Sequence, residues 1–273
     1  MSYGPIKLIA SDLDGTLLDS SGEIPERNSR AVADAMKAGV TVAISTGRMY
    51  SSAATFARKL GLGGTPIICY NGAMIRSETG EPLLNLKLDL DVALEMLAIF
   101  RERGVYVQSY IDDELFVKDC NDSNFQYYHR HFGIEGKALG DKIFEPQVPP
   151  TKFLTRTSGF EASRALTKEF SERFAGRAYV TSSNEDFVEM MNPEADKGKC
   201  LRKLADTLGI PMENVMALGD GDNDVEMIKA AGLGIAMANA RPETKTAARE
   251  IAPTNDECGV AWAIEKYVLR PAP

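Results

Sequence analysis

Ile9-Ala10-Ser11-Asp12-Leu13-Asp14-Gly15-Thr16-Leu17 sets an apolar run directly against two aspartates and a glycine. Within the apolar segment from Ile6 to Ala10, Lys7–Ala10 reads as a buried strand. A buried strand has little reason to finish in paired carboxylates unless they serve a site. On a strand, positions i and i+2 point to one side, so Asp12 and Asp14 are expected to approach one locus. Their repulsion then needs relief, and carboxylate oxygens suit a hard cation such as Mg²⁺. Gly15 lets the chain turn away at once.

Working outward, Pro25 to Ala38 reads as a helix, with Pro25 in the first turn and Gly39 as its cap. Val40–Ser45 is a second strand, Ser51 to Leu60 a second helix, and Pro66–Cys69 a third strand. This β-α-β-α-β alternation predicts an α/β fold, a parallel sheet covered on both faces with right-handed crossovers. Ligands of such sheets sit beyond the carboxyl ends of the strands. Asp12, Thr46 and Asn71 lie there.

Between about residues 83 and 190 the texture changes. Strand-like pieces (Val105–Tyr110, Leu115–Val117, Lys152–Thr155, Phe187–Met190) alternate with turn signals, and helical patterns cover Asp91–Arg103 and Glu161–Phe174. This predicts an inserted α+β domain over 83–190 with a largely antiparallel sheet. The parallel pattern returns from about Asn192: a helix over Asp196–Leu208, a strand over Val215–Leu218, a helix over Asp222–Ala231, a strand over Gly234–Met237 and a helix over Gly259–Val268. A discontinuous core, 1–82 plus 191–273, is therefore expected.

Composition bounds the partners. The 273 residues carry a net charge of −8, which disfavours nucleic acid or an anionic membrane surface. A small phosphorylated molecule stays compatible, because a metal and a few placed cations reverse the local field. The four cysteines, Cys69, Cys120, Cys200 and Cys258, form no C-x-x-C pair and are expected as free thiols. His129 and His131 are read as a solvated surface pair, not a metal site. No signal peptide and no stretch of ~20 apolar residues is evident, so the cytoplasm is the expected location.

Four segments share one placement, at a strand end or a helix start. After Asp12-x-Asp14-Gly-Thr comes Ser45-Thr46-Gly47-Arg48, whose hydroxyl and backbone N–H groups precede a helix and suit an anion. Asp196-Lys197-Gly198 offers a point charge to a phosphate. Gly219-Asp220-Gly221-Asp222-Asn223-Asp224 offers acids for a metal and an amide for a phosphate oxygen, and lacks the closing glutamate of a calcium loop. Singly, each has an ordinary explanation as a cap, a surface turn or a solvated lysine. All four falling by chance at one sheet edge is far less expected.

In this order, and with the insertion between the second and third segments, the chain resembles the haloacid dehalogenase superfamily, specifically its Cof-type phosphatases with a type IIB cap. The resemblance covers essentially the whole chain. It implies a Rossmann-like core, an inserted cap and a Mg²⁺-dependent phosphatase acting on small phosphorylated metabolites, sugar phosphates or related compounds, through an aspartyl phosphate. Carried over, Asp12 is similar to the nucleophile and Asp14 to the general acid/base. Thr46 and Gly47 correspond to the phosphate-holding loop, Lys197 to the cation shared by phosphate and nucleophile, and Asn223 to a further phosphate contact. The resemblance implies a metal held by Asp12, the backbone carbonyl of Asp14, and Asp220, with Asp224 supporting them from behind. A phosphotransferase or phosphomutase using the same intermediate is the alternative, and a non-catalytic metabolite-binding module a more distant one. In the cap, Tyr110, Tyr127, Arg130 and Arg156 receive no role.

Overall fold

The computed structural model describes residues 4–77 and 82–269. The chain divides into two compact units, one formed by Met1–Leu84 with Asp196–Pro273 and the other by Asn85–Ala195.

The first segment runs through β1 (Leu8–Ser11), α1 (Glu26–Lys37), β2 (Thr41–Ile44), α2 (Tyr50–Lys59), β3 (Ile67–Cys69), β4 (Met74–Arg76) and β5 (Leu84–Asn85). The second unit holds α3 (Leu90–Arg103), β6 (Gln108–Ile111), β7 (Glu114–Val117), α4 (Ser123–Phe132), β8 (Lys137–Ala138), β9 (Lys152–Arg156), α5 (Phe160–Arg173), β10 (Tyr179–Thr181) and β11 (Phe187–Met191). The chain then continues with α6 (Lys197–Thr207), β12 (Val215–Gly219), α7 (Val225–Ala230), β13 (Leu233–Met237), α8 (Pro242–Ala247), β14 (Glu250–Ala252) and α9 (Gly259–Ile264).

Five strands of the first unit form a parallel sheet in the order β14-β13-β12-β1-β2. Leu8, Ala10, Ala43, Val215 and Ala217 on one face pack with Leu201, Leu204 and Ala205 of α6. The small alanines let the helix approach the sheet closely, and the β1, β12 and β13 strands are buried throughout, as expected of a parallel sheet with both faces covered. After β1 the chain crosses to β2 on one side, and the last segment supplies β12 on the other. The order therefore reverses at β1/β12, where ligands bind α/β sheets.

One expectation needs correction. The third strand was expected to extend the parallel sheet, but β3 touches it only through a parallel bridge between Ser45 and Ile68. Instead β3 pairs antiparallel with β4 in a small three-stranded sheet. Asn71-Gly72 turns the chain straight back, which a crossover helix would have prevented.

In the second unit, six strands in the order β10-β11-β9-β6-β7-β8 are antiparallel except for β7–β8. Met96, Phe100 and Phe170 of α3 and α5 pack on Phe153, Val188 and Met190 of the sheet. Asp89 caps α3 through the Asp91 and Val92 N–H groups, and Gly104, at φ 64°, ends it. Strand β6 is shorter than expected, since Val105–Val107 lie outside it. Helix α4, which carries His129 and His131, has no counterpart in the sequence reading; His129 Nδ1 lies 3.0 Å from the Ile134 carbonyl.

Candidate active site

Strand β1 ends at Ser11, and the chain holds Asp12 there through two backbone contacts. The Asp12 N–H donates to the Leu218 carbonyl of β12 at 3.0 Å, and the Ser11 hydroxyl donates to the Asp12 carbonyl at 2.9 Å. Gly15 follows at φ 71°. A side chain there would be strained, and its Cβ would collide with Asp220 Oδ2. Gly15 thus permits both the turn and the approach of the β12 loop.

The Lys197 ammonium, at the start of α6, lies 2.9 Å from Asp12 Oδ1 and 2.6 Å from Asp224 Oδ1, with its side chain fully buried. Asp224 Oδ2 accepts the N–H groups of Asp220 (2.9 Å) and Gly221 (3.0 Å). Both oxygens of Asp224 are therefore spent on orienting Lys197 and the β12 loop. Asp220 Oδ1 accepts the Thr16 hydroxyl at 2.8 Å. Asp12 Oδ2 accepts no hydrogen bond among the described residues.

One ligand oxygen from each of Asp12, Asp220 and Asp224 lies within 4.8 Å of the others. Burial pushes the Asp12 carboxyl well above the usual carboxylate range, the Asp224 charge adds to this, and Lys197 opposes it. Burial, then Asp224, pushes Asp220 up to about 7, against the Thr16 hydrogen bond. Burial alone would lower the Lys197 pKa, but Asp12 and Asp224 together hold it above its ordinary value. One ammonium faces three carboxylates, and every donor is a hard oxygen, so these residues fit a divalent cation such as Mg²⁺.

Asp14 behaves differently from the expected strand partner of Asp12. With β1 ended at Ser11, the i, i+2 rule no longer governs the pair. The Arg48 guanidinium holds both Asp14 oxygens, Nε to Oδ2 at 2.8 Å and Nη2 to Oδ1 at 2.6 Å. The Asp14 side chain is 44% exposed, against 8% for Asp12. Its charge still reaches Asp12 and adds to the raised pKa there.

Thr46 is buried at the end of β2, its N–H on the Ile68 carbonyl and its hydroxyl accepting the Arg48 N–H at 3.2 Å. Beside it the buried Ser45 hydroxyl has no partner among the described residues. Asn223, on the β12 loop, donates its carboxamide to Asn71 Oδ1 at 2.9 Å. The Gly221 carbonyl accepts the Thr244 hydroxyl, and Arg241 Nη1 holds Asp222 Oδ2 at 2.6 Å. Sequence reasoning gave no role to Arg48, Thr16 or Asn71. Arg48 and Thr16 sit inside the second and first motif segments, and the signal for Asn71 is its place past a strand end.

In the second unit, two residues left without a role do meet. The Arg156 guanidinium lies 3.7 Å over the Tyr127 ring and pairs with Asp186 at 2.6 Å. The Tyr110 hydroxyl donates to Gln108 at 2.6 Å.

Residues 9–264 match the family model of the haloacid dehalogenase-like hydrolases. The chain is 32% identical to the putative phosphatase YxeH of Bacillus subtilis (strain 168), over 96% of this chain and 98% of that one. It is 31% identical to the 5-amino-6-(5-phospho-D-ribitylamino)uracil phosphatase YwtE of the same organism, over 96% and 98%. It is 30% identical to the chloroplastic endoribonuclease YBEY of Arabidopsis thaliana, of which it spans 46%. Among solved structures, a haloacid dehalogenase-like hydrolase from Bacteroides thetaiotaomicron superposes with a TM-score of 0.84 at 31% identity, covering 95% of this chain and 98% of that one. The chain belongs to the haloacid dehalogenase-like hydrolases and is an enzyme of their phosphatase class.

Proposed function

We propose that this enzyme is Mg²⁺-dependent and hydrolyses small phosphorylated metabolites, sugar phosphates among them, through an aspartyl phosphate on Asp12. The observation that carries this reading is the state of Asp12 at the β1/β12 end: Oδ1 held by a buried ammonium, Oδ2 free of hydrogen bonds among the described residues. An oriented, desolvated carboxylate with one unbonded oxygen suits attack on phosphorus.

In the first half-reaction Asp12 Oδ2 bonds to phosphorus while the bond from phosphorus to the ester oxygen breaks. Asp14 gives its proton to that oxygen, and the alcohol leaves. In the second, water adds to phosphorus and gives a proton to Asp14. The bond from phosphorus to Oδ2 breaks, inorganic phosphate leaves, and Asp12 is restored. Asp14 must free at least one oxygen from Arg48 to carry the proton. Lys197 offsets the approach of two anions, and Thr46, Gly47 and Asn223 hold the non-reacting oxygens. Asp12, Asp220 and the Asp14 carbonyl would hold Mg²⁺, which when bound would further neutralise the phosphoryl charge.

The unit Asn85–Ala195 acts in this reading as the cap that selects substrate, since every residue given a chemical role lies in the other unit. The phospho-ribityl compound in the name of one relative supports a sugar-like substrate. No described helix is long and apolar enough to cross a membrane, and the four cysteines are free, which suits the reducing cytoplasm.

Trapping tests the chemistry. Asp14→Asn, mixed with a ³²P-labelled aryl phosphate in Mg²⁺ and quenched in acid, should retain base-labile label on Asp12. Release of phosphate by the wild type with no label on either protein would overturn the covalent route.

A further inference from the structure

Between β3 and β4 the backbone does something costly. Tyr70, Asn71 and Gly72 all have positive φ, at 52°, 53° and 97°. Glycine takes such angles freely and asparagine tolerates them, but a bulky tyrosine there is a steric outlier. All three residues are buried. Backbone of this kind persists only where its surroundings over-determine it, and it concentrates at functional sites.

The surroundings of this turn are three of the four motif segments. The Tyr70 N–H donates to the Arg48 carbonyl and the Asn71 N–H to the Thr46 carbonyl, each at 3.0 Å. The Gly72 carbonyl accepts the Cys200 thiol at 2.8 Å, and a Cβ on Gly72 would stand 2.6 Å from the Asp196 carbonyl oxygen. Asn71 Oδ1 takes one N–H of Asn223, 152 residues away in sequence. A Cβ on Gly47 would stand 2.8 Å from that same Oδ1.

We infer that Asn71 is a positioning residue of the phosphate site, holding the Asn223 carboxamide in the plane from which its second N–H meets the phosphoryl group. The inference rests on the proposed phosphatase reading of Asn223. A carboxamide nitrogen has two donors in one plane, so a partner on one fixes the direction of the other. The left-handed turn is what aims Asn71 at Asn223 while its own N–H stays on Thr46. Gly47 lacks a side chain because Oδ1 of Asn71 occupies the space. Asn71 acts through Asn223 and need not touch substrate.

The test is a double-mutant cycle read by inorganic phosphate binding, measured calorimetrically in Mg²⁺ on the full chain. Asn71→Gly deletes the carboxamide and tolerates the positive φ. Gly47→Ala keeps the backbone N–H that holds a phosphoryl oxygen, leaves the turn sequence intact and displaces Oδ1. Each should weaken phosphate about tenfold in the wild-type background, the scale of one hydrogen bond to a charged group. Neither should weaken it further in an Asn223→Ala background. Equal loss in both backgrounds would make the turn merely structural and overturn the inference. So would unchanged binding by whichever of the two variants melts cooperatively near the wild-type temperature. If Asn223→Ala itself binds phosphate like wild type, the assignment of Asn223 fails and the inference with it. Loss with Asn223→Ala but none with Asn71→Gly or Gly47→Ala sinks the inference alone.

Discussion

Each unit of this protein buries a lysine beside carboxylates, and the two lysines are built differently. In the second unit, Lys152 meets Glu189 at 2.7 Å, both side chains 2% exposed, with the ammonium 4.7 Å from the Tyr110 ring centre. Here an ammonium meets a carboxylate across the adjacent strands β9 and β11. In the first unit, Lys197 answers Asp12 and Asp224, while Asp220 stands within reach of both carboxylates. Burial of a balanced pair returns at best the cost of desolvating it. Burial of an unbalanced group leaves negative charge that only a cation or a proton relieves. The difference teaches how to tell a structural ion pair from a site: by the surplus of charge, not by burial.

The largest contrast comes from breaking each cluster. Asp12→Asn should lower turnover by at least about 10³-fold, because the isosteric amide is a poor nucleophile. Its melting temperature in chelator should match or exceed wild type, since a repelling charge is gone. Turnover above a tenth of wild type would remove Asp12 from the nucleophile role.

Glu189→Gln should do the reverse. It leaves the Lys152 ammonium buried without its counter-charge, at a cost of about 3–5 kcal/mol in urea unfolding. Replacing the pair together, as Lys152→Met with Glu189→Leu, should recover most of that loss. A Glu189→Gln protein as stable as wild type would show that the pair is not a structural element of the second unit.

Linkage gives a third contrast. The Asp220 pKa of about 7 lies above the unfolded carboxylate value of about 3.9. Between these values the folded form binds more protons, so this group favours folding at low pH and loses that contribution as pH rises toward 7. The metal-free wild type should therefore lose stability relative to Asp220→Asn between about pH 4 and pH 7. Mg²⁺ should raise the wild-type melting temperature more at pH 8 than at pH 5, because protons and cation compete for the same oxygens. A Mg²⁺ shift that is equal at both pH values would contradict the unbalanced cluster.

The smallest expected effect lies at the margin of the site. Arg48→Met removes the guanidinium that orients the Asp14 carboxylate and leaves Asp12 and Lys197 in place. Turnover of an alkyl phosphate should fall about tenfold, within the range contributed by acid/base groups. Turnover of an aryl phosphate, whose leaving group needs less protonation, should fall less. Equal losses on both substrates would separate Arg48 from the proton-carrying role proposed for Asp14.

Much of this was legible in the chain. The elements β1, α1, β2, α2, α6 and β12 lie within one or two residues of their expected bounds, because caps such as Gly39 and the apolar periodicity of α6 act locally. Helix α4 was hidden because its Ser123–Phe132 run is rich in aromatic and histidine residues of middling helix propensity. Its signals, Asp122 as N-cap and Gly133 at φ 64°, were present but brief. Strand β3 does bridge in parallel to the end of β2, but its return into β4 has no counterpart in the sequence reading, although Asn71-Gly72 carries the hairpin dipeptide. Strands β10 and β14, three residues each, gave too little pattern to detect.

By itself the sequence determined which charged and amide groups stand at the strand ends, since a carboxylate, an ammonium or an amide is a property of the residue, and strand-end placement follows from local pattern. The pairing of those groups belongs to the tertiary structure alone. That Arg48 holds Asp14, that Thr16 holds Asp220 and that Asn71 holds Asn223 depends on loops joined across as many as 204 residues. Such contacts are set by the register of β1 against β2 and β12, and no local sequence pattern encodes a register between strands so far apart.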